Sequence, residues 1–150
     1  MKIEDTIKSI HRWGITTKTI VNLMYTTRII EEAITGVLKP FDISIQQYNV
    51  LRILRGQKGT PANLSTIHER MIDRSSNTTR LVDKLMKKEW VERQVCEQNR
   101  RKVEIFITKK GLDILEELDP IIKDNNNQLV SALSSDQLEG LNDLLDLLRK

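Results

Sequence analysis

The chain has 150 residues, the size of one domain, with 39% hydrophobic and 30% charged residues, the balance of a helix-rich water-compatible protein. Aromatic residues make up only 4%, so the core must rest on Leu, Ile and Val. No apolar run approaches the roughly 18 residues of a membrane helix. A single cysteine excludes an internal disulfide framework, and the opening MKIEDTIKSIHRW lacks a hydrophobic leader core. These features predict a cytoplasmic protein.

The net charge of +3 conceals an asymmetry. From Arg70 to Lys110 there are 12 Lys and Arg against 6 Asp and Glu, while the remainder holds 12 against 15. A cationic middle between mildly acidic ends predicts a polyanion partner for the middle alone.

Residues 1–14 read as a short amphipathic lead-in that Gly14 ends. From Thr17 to Leu38 a long helix is predicted, because Ile20, Leu23, Met24, Thr27, Ile30, Ile34, Val37 and Leu38 recur at steps of three and four. Lys39-Pro40 stops it, since proline turns the residue before it away from helical geometry. Ser44 reads as the N-cap of a second helix, with Ile45, Tyr48, Leu51 and Leu54 along it as far as Arg55-Gly56. Gly56 to Pro61 is a loop. Asn63 reads as the cap of a third helix carrying Leu64, Ile67 and Met71, which ends near Ile72-Asp73. A fourth helix is predicted from about Arg74 to Lys88, with Asp73 and Ser75 equally placed as its cap. It turns Thr78, Leu81, Val82 and Leu85 inward. Ser76, Asn77, Thr79, Arg80 and Lys84 face outward.

At Val91 the period falls to two. Val91, Arg93 and Val95 alternate with Glu92 and Gln94, then Val103, Ile105 and Ile107 resume the alternation after the polar run Glu97 to Lys102. Thr108 caps the next helix, which carries Leu112, Leu115 and Leu118. Pro120 then either starts a new helix or kinks this one. Asp124-Asn125-Asn126-Asn127 belongs on a solvated helix face. Ser134 with Gln137 forms a capping-box pattern before a last helix of Leu138, Leu141, Leu144, Leu145, Leu147 and Leu148. Both end helices carry more apolar surface than one contact covers. They either cover each other within one chain or join two copies, and the width of the stripes favours two copies.

Helix, helix and a hairpin with a cationic tip outline a winged helix-turn-helix. The run SSNTTRLVDKLMKKEWVER, followed by NRRKVEIFIT and KKG, resembles the signature of the multiple antibiotic resistance regulator (MarR) family. The resemblance covers most of the chain. It implies a mainly α fold with a small β-hairpin wing. The winged helix-turn-helix core would span about residues 44–111, flanked in the same single domain by dimerisation helices at about 15–39 and 120–150. It also implies a two-fold homodimer joined through those end helices.

A helix that enters the major groove needs small polar residues early, a long donor one turn on, and a cation near the phosphates. Ser75, Ser76, Asn77, Thr79, Arg80 and Lys84 meet that description. Arginine can pair with guanine through two hydrogen bonds, and asparagine with adenine. On the hairpin, the family pattern Asp-x-Arg aligns with Asn99-Arg100-Arg101, followed by Val103, Ile105, Ile107-Thr108 and Gly111. The resemblance places Arg101 where the family's arginine enters the minor groove, with Arg100 and Lys102 beside it on the basic tip. Asn99 departs from the pattern, because an amide supplies no charge to brace that arginine. A third group, Met24, Tyr25, Arg28 and Tyr48, would suit a phenolic carboxylate, and the resemblance implies a small aromatic or anionic effector in that region. Tyr and Met at helical spacing also read as plain core.

No glycine-rich phosphate loop, CxxC or HExxH is present, so no enzyme, cofactor or metal is predicted. His11, His68 and Cys96 lack the spacing of a zinc site. Cys96 has Arg93 and Arg100 nearby, which favour a thiolate. The family's peroxide-sensing branch keeps its cysteine near the N-terminus, however, and a passive role is predicted. The expected function is a DNA-binding transcription regulator: a homodimeric, ligand-responsive repressor on an inverted-repeat operator in double-stranded DNA. The alternative is a dimeric protein-interaction module of the same fold that reads no DNA.

Overall fold

The computed structural model describes residues 1–150. Seven helices and one hairpin follow in chain order: α1 (Ile3–Thr6), α2 (Ile15–Leu38), a 3-10 turn (Lys39–Phe41), α3 (Ile45–Gly56), α4 (Leu64–Arg70), α5 (Thr78–Lys87), β1 (Val91–Val95), β2 (Val103–Ile107), α6 (Lys109–Leu129) and α7 (Ser135–Leu148). The mainly helical winged architecture is as the sequence predicts. α2 starts two residues earlier than Thr17, with Gly14 at the cap position. No helix is long and apolar enough to cross a membrane.

Local hydrogen bonds explain most of the boundaries. Ser44 and Gln47 cap α3 reciprocally, and Ser134 and Gln137 do the same for α7. Asn63 Oδ1 accepts from the Thr66 N–H at 2.7 Å to open α4. Pro120, expected at a break, lies inside an unbroken α6. Proline there removes one helical hydrogen bond. The buried residues Leu115, Leu118 and Ile122 nevertheless keep helical spacing across it. Arg55 adds a two-pronged ion pair to Asp119 at 2.8 and 3.0 Å, which ties the turn before the proline to α3.

The core lies in the middle of the chain. Leu51, Ile67, Leu85, Ile105, Leu115 and Leu118 are fully buried, each contributing about 1.5–3 kcal/mol of hydrophobic stabilisation. In the hairpin, Val91 pairs with Ile107, Arg93 with Ile105 and Val95 with Val103. Ala62, in the loop before α4, adds a single antiparallel bridge to β2 by exchanging two backbone hydrogen bonds with Ile105 at 2.8 and 3.0 Å. The wing is thereby fastened to the start of the helix-turn-helix.

The ends differ. α2 buries only Leu38, and α7 buries no residue. Ile15, Ile20 and Met24 on α2, and Leu144, Leu147 and Leu148 on α7, are each more than half exposed.

Candidate nucleic-acid interface

α5 projects from the core because Thr78, Val82 and Leu85 are buried beneath it, with Leu81 half-buried, as the periodicity predicts. His68 Nδ1 meets Thr78 Oγ1 at 3.2 Å, joining α4 to the base of α5. The opposite face is open. Thr79, Arg80 and Lys84 are exposed, and Arg80 forms no ion pair. Of the two acids placed to pair with Arg80, Asp83 lies 3.9 Å from Arg93 instead. The other, Asp73, is occupied in the preceding turn.

That turn corrects the expected helix start. α5 begins at Thr78 and not near Arg74, and its cap is Asn77, not Asp73 or Ser75. Asp73 Oδ1 accepts from both the N–H (3.0 Å) and the hydroxyl of Ser75, while Gln46 reaches its other oxygen at 3.4 Å. The Ser75 hydroxyl first, then its backbone N–H, hold the Asp73 carboxyl below the usual range. Such side-chain to backbone bonds compete with helix formation, so the first free cap is four residues later. Asn77 Oδ1 accepts from the Arg80 N–H at 3.1 Å. That bond fixes the orientation of the Asn77 amide group, with its two amide hydrogens free. Ser75 and Ser76 lie on the turn rather than the helix. Ser75 is exposed, whereas the Ser76 hydroxyl is buried without a hydrogen-bond partner.

The wing tip is built by backbone bonds. Cys96 N–H donates to the Lys102 carbonyl at 3.0 Å, and Lys102 N–H donates to the Asn99 carbonyl at 2.9 Å. Asn99 Oδ1 accepts from the backbone N–H of Arg101 at 3.1 Å, so it shapes the turn without bracing the guanidinium. Arg100, Arg101 and Lys102 are all exposed. The wing and α5 are linked twice, by the Arg93–Asp83 pair and by their shared core. At the base of the wing, Thr108 caps α6 and donates its hydroxyl to the Glu89 carbonyl at 2.7 Å. Gly111 is needed there, because a Cβ would come within 2.3 Å of the Trp90 carbonyl oxygen.

These features are a helix-turn-helix with an open recognition face and a cationic hairpin set rigidly beside it. The model of the MarR family matches residues 43–103, from the start of the helix-turn-helix through β1 and the wing tip to the first residue of β2. The chain belongs to the MarR family. It is 27% identical over 125 residues to the HTH-type transcriptional regulator PecS of Dickeya dadantii, covering 81% of this chain and 74% of PecS. It is 32% identical over 106 residues to the transcriptional repressor MprA of Escherichia coli K12, covering 69% of this chain and 60% of MprA. The crystal structure of a MarR transcription factor from Planctomyces limnophilus superposes with a TM-score of 0.71 at 28% identity, covering 91% of this chain and 99% of that one.

The effector candidates of this MarR-family chain are not brought into one cavity. Tyr25 lines a cleft of about 390 Å³ with Lys2 and Ile3 of the N-terminal segment and Lys18 of α2. Tyr48 is buried and borders a separate cleft of about 310 Å³ with Arg52, Arg55 and Asp119. Burial pushes the Tyr48 phenol above its ordinary range. Met24 is 66% exposed, and Arg28 pairs with Glu31 at 3.1 Å. Cys96 is partly exposed at the end of β1. Two residues of the interface escape a reading based on the helix face. Arg74 and Ile72 are exposed in the turn before α5, Ile72 at 86%. Its backbone N–H is held by Asn49 Oδ1 at 2.9 Å. Only the position of the true cap at Asn77 reveals that this turn is part of the surface.

Proposed function

We propose that the chain is a double-stranded DNA-binding transcription regulator that acts as a homodimer on an inverted-repeat operator. The observation that carries this reading is the placement of unpaired cations on the two reading elements. Arg80 on α5 and Arg100, Arg101 and Lys102 on the wing form no ion pair, so they are available to a polyanion without first breaking an internal contact. Arg80 lies in the first turn of α5, where a base edge is within reach of a long donor. Arg101 lies on the tip, where minor groove and phosphate are the accessible surfaces. Thr79 and the Asn77 amide hydrogens add polar contacts, Lys84 faces the flanking phosphates, and Ser75, whose two donors are held by Asp73, shapes with Ser76 the turn that presents them. The same cations weigh against a module that binds only protein.

Dimerisation is supported by the apolar residues left open on α2 and α7. A repressor role is supported by the likeness to MprA. An aromatic or anionic effector is supported only by residue chemistry at Met24, Tyr25 and Arg28 on α2 and at Tyr48 on α3. The test is selection of bound sequences from a random DNA pool, followed by affinity measurements against salt. A palindromic consensus with half-sites about one helical turn apart is expected. Recovery of no enriched sequence, with no salt-dependent duplex binding, would sink the reading and favour a protein-interaction module.

A further inference from the structure

A cleft of about 530 Å³ lies between the 3-10 turn, the start of α3 and the C-terminal half of α5, and four lysines line it: Lys39, Lys84, Lys87 and Lys88. The last three fall on one face of α5, because steps of three and four residues do so on a helix. A cation in the last turn is favoured by the helix dipole. That accounts for the α5 lysines singly, but Lys39 comes from a different element and adds a fourth charge to the same space. Lys88 is already engaged: its ammonium donates to the Asp42 carbonyl and sits 4.7 Å from the centre of the Trp90 ring. Lys39, Lys84 and Lys87 form no ion pair. Asp42 is the one acid in the lining; its carboxylate, 99% exposed, pairs with Lys88 at 3.4 Å and leaves the other three lysines unneutralised.

Gln47 supplies a second, independent observation. It lines the cleft and is 92% buried, being only 8% exposed. Its Oε1 accepts from the Ser44 N–H at 3.1 Å, but its Nε2 donates to no protein group. That amide nitrogen is therefore a free donor, held in place by the capping bond of its own Oε1. Ser44, the cap of α3, lines the same cleft, so the positive end of that helix opens onto it as well. Ile43 is the single apolar residue of the lining.

We propose that this cleft binds a small polyanion, a phosphate ester or a di- or tricarboxylate, through the Lys39, Lys84 and Lys87 ammonium groups and the Gln47 amide. Such a ligand has several acceptor oxygens on one compact frame, which matches donors converging from three elements. It is chemically distinct from a phenolic acid and uses none of Met24, Tyr25, Arg28 or Tyr48.

The test uses the full chain with citrate and inorganic pyrophosphate as probes, and sodium chloride at matched ionic strength as the reference. Calorimetric titration and thermal shift should register both probes beyond the chloride effect. The Lys39→Ala/Lys87→Ala double variant should weaken probe binding by about ten-fold or more, the loss of at least one charge-assisted hydrogen bond. Gln47→Glu retains an acceptor for the Ser44 N–H and places a carboxylate in the cleft, so it should abolish the response with α3 intact by circular dichroism. DNA affinity without the probes should be unchanged in Lys39→Ala and in Lys87→Ala. Probe responses no larger than chloride, or equal in wild type and variants, overturn the proposal. So does a drop in DNA affinity with a shallower salt dependence in Lys39→Ala or Lys87→Ala without probe, since that assigns these lysines to DNA phosphates.

Discussion

The middle of this chain and its two ends have opposite surpluses. Between Ile43 and Gly111, most apolar side chains are consumed inside one chain: Leu51, Ile67, Val82, Leu85 and Ile105 are all buried, with Ile72 and Val95 as exceptions. What remains open there is mainly charge, on Arg80, Arg100, Arg101 and Lys102. On α2 and α7 the open residues include Ile20, Met24, Leu144 and Leu147, while charges such as Arg28 and Glu31 pair locally. A region with its core closed and its cations free is complete as a fold and incomplete as an electrostatic surface. A region with exposed leucines in helical register is incomplete as a core. The first calls for a polyanion and the second for another apolar face, which a second copy of the same helices supplies.

Removing residues 134–150 tests the second half of that contrast and should have the largest effect. The truncated chain should be monomeric by light scattering and should lose operator binding, because one lobe contacts only one half-site. A truncated chain that stays dimeric would move the dimer contact to α2 alone.

Gly111→Ala strikes the joint between the middle and the end helices. The added methyl meets the Trp90 carbonyl at 2.3 Å and Ile107 Cγ1 at 2.8 Å, so α6 must shift against the wing. A cost of about 1–3 kcal/mol is expected from overpacking of this kind. It is read as a lower midpoint in denaturant titration. An unchanged midpoint would mean that α6 moves freely on the wing and that the two regions are not rigidly coupled.

Two arginines sharpen the contrast within the charged surface. Arg80→Ala should cost about 1–3 kcal/mol at one symmetric base pair of each half-site, flattening the preference there. Arg101→Ala should weaken all sequences together and reduce the salt slope by about 1. Asn99→Asp retains the acceptor for the Arg101 N–H and adds a carboxylate beside its guanidinium, so a slight gain in affinity is expected. Operator affinity measured against salt separates the three. An Arg101→Ala protein with unchanged affinity at every salt concentration would leave α5 as the only reader.

The smallest effect is expected at Cys96, the residue after β1. Cys96→Ser should leave DNA binding unchanged with and without peroxide. An oxidant response in the wild type that disappears in the variant would give the wing a redox role.

Features set by near neighbours were legible in the sequence. Ser44 with Gln47, Asn63, Thr108, and Ser134 with Gln137 cap the helices they were expected to cap, because a capping bond spans only three residues. The inward face of α5 and the pairing face of the hairpin follow from periods of 3.6 and 2. The start of α5 was missed although its bonds are local: Ser75 holds Asp73 from two residues away, with Gln46 adding a 3.4 Å contact from α3, and Asn77 caps the helix. Tertiary structure decided what depends on partners distant in sequence. Pro120 stays inside α6, where Arg55 grips the residue before it. Tyr25 and Tyr48 line different clefts, and Lys39 meets the lysines of α5 only because the 3-10 turn brings the chain back beside that helix. Periodicity and spacing report a residue's angle about its own element. Which elements meet is fixed by burial of the whole apolar set at once, and no single stretch of sequence carries that information.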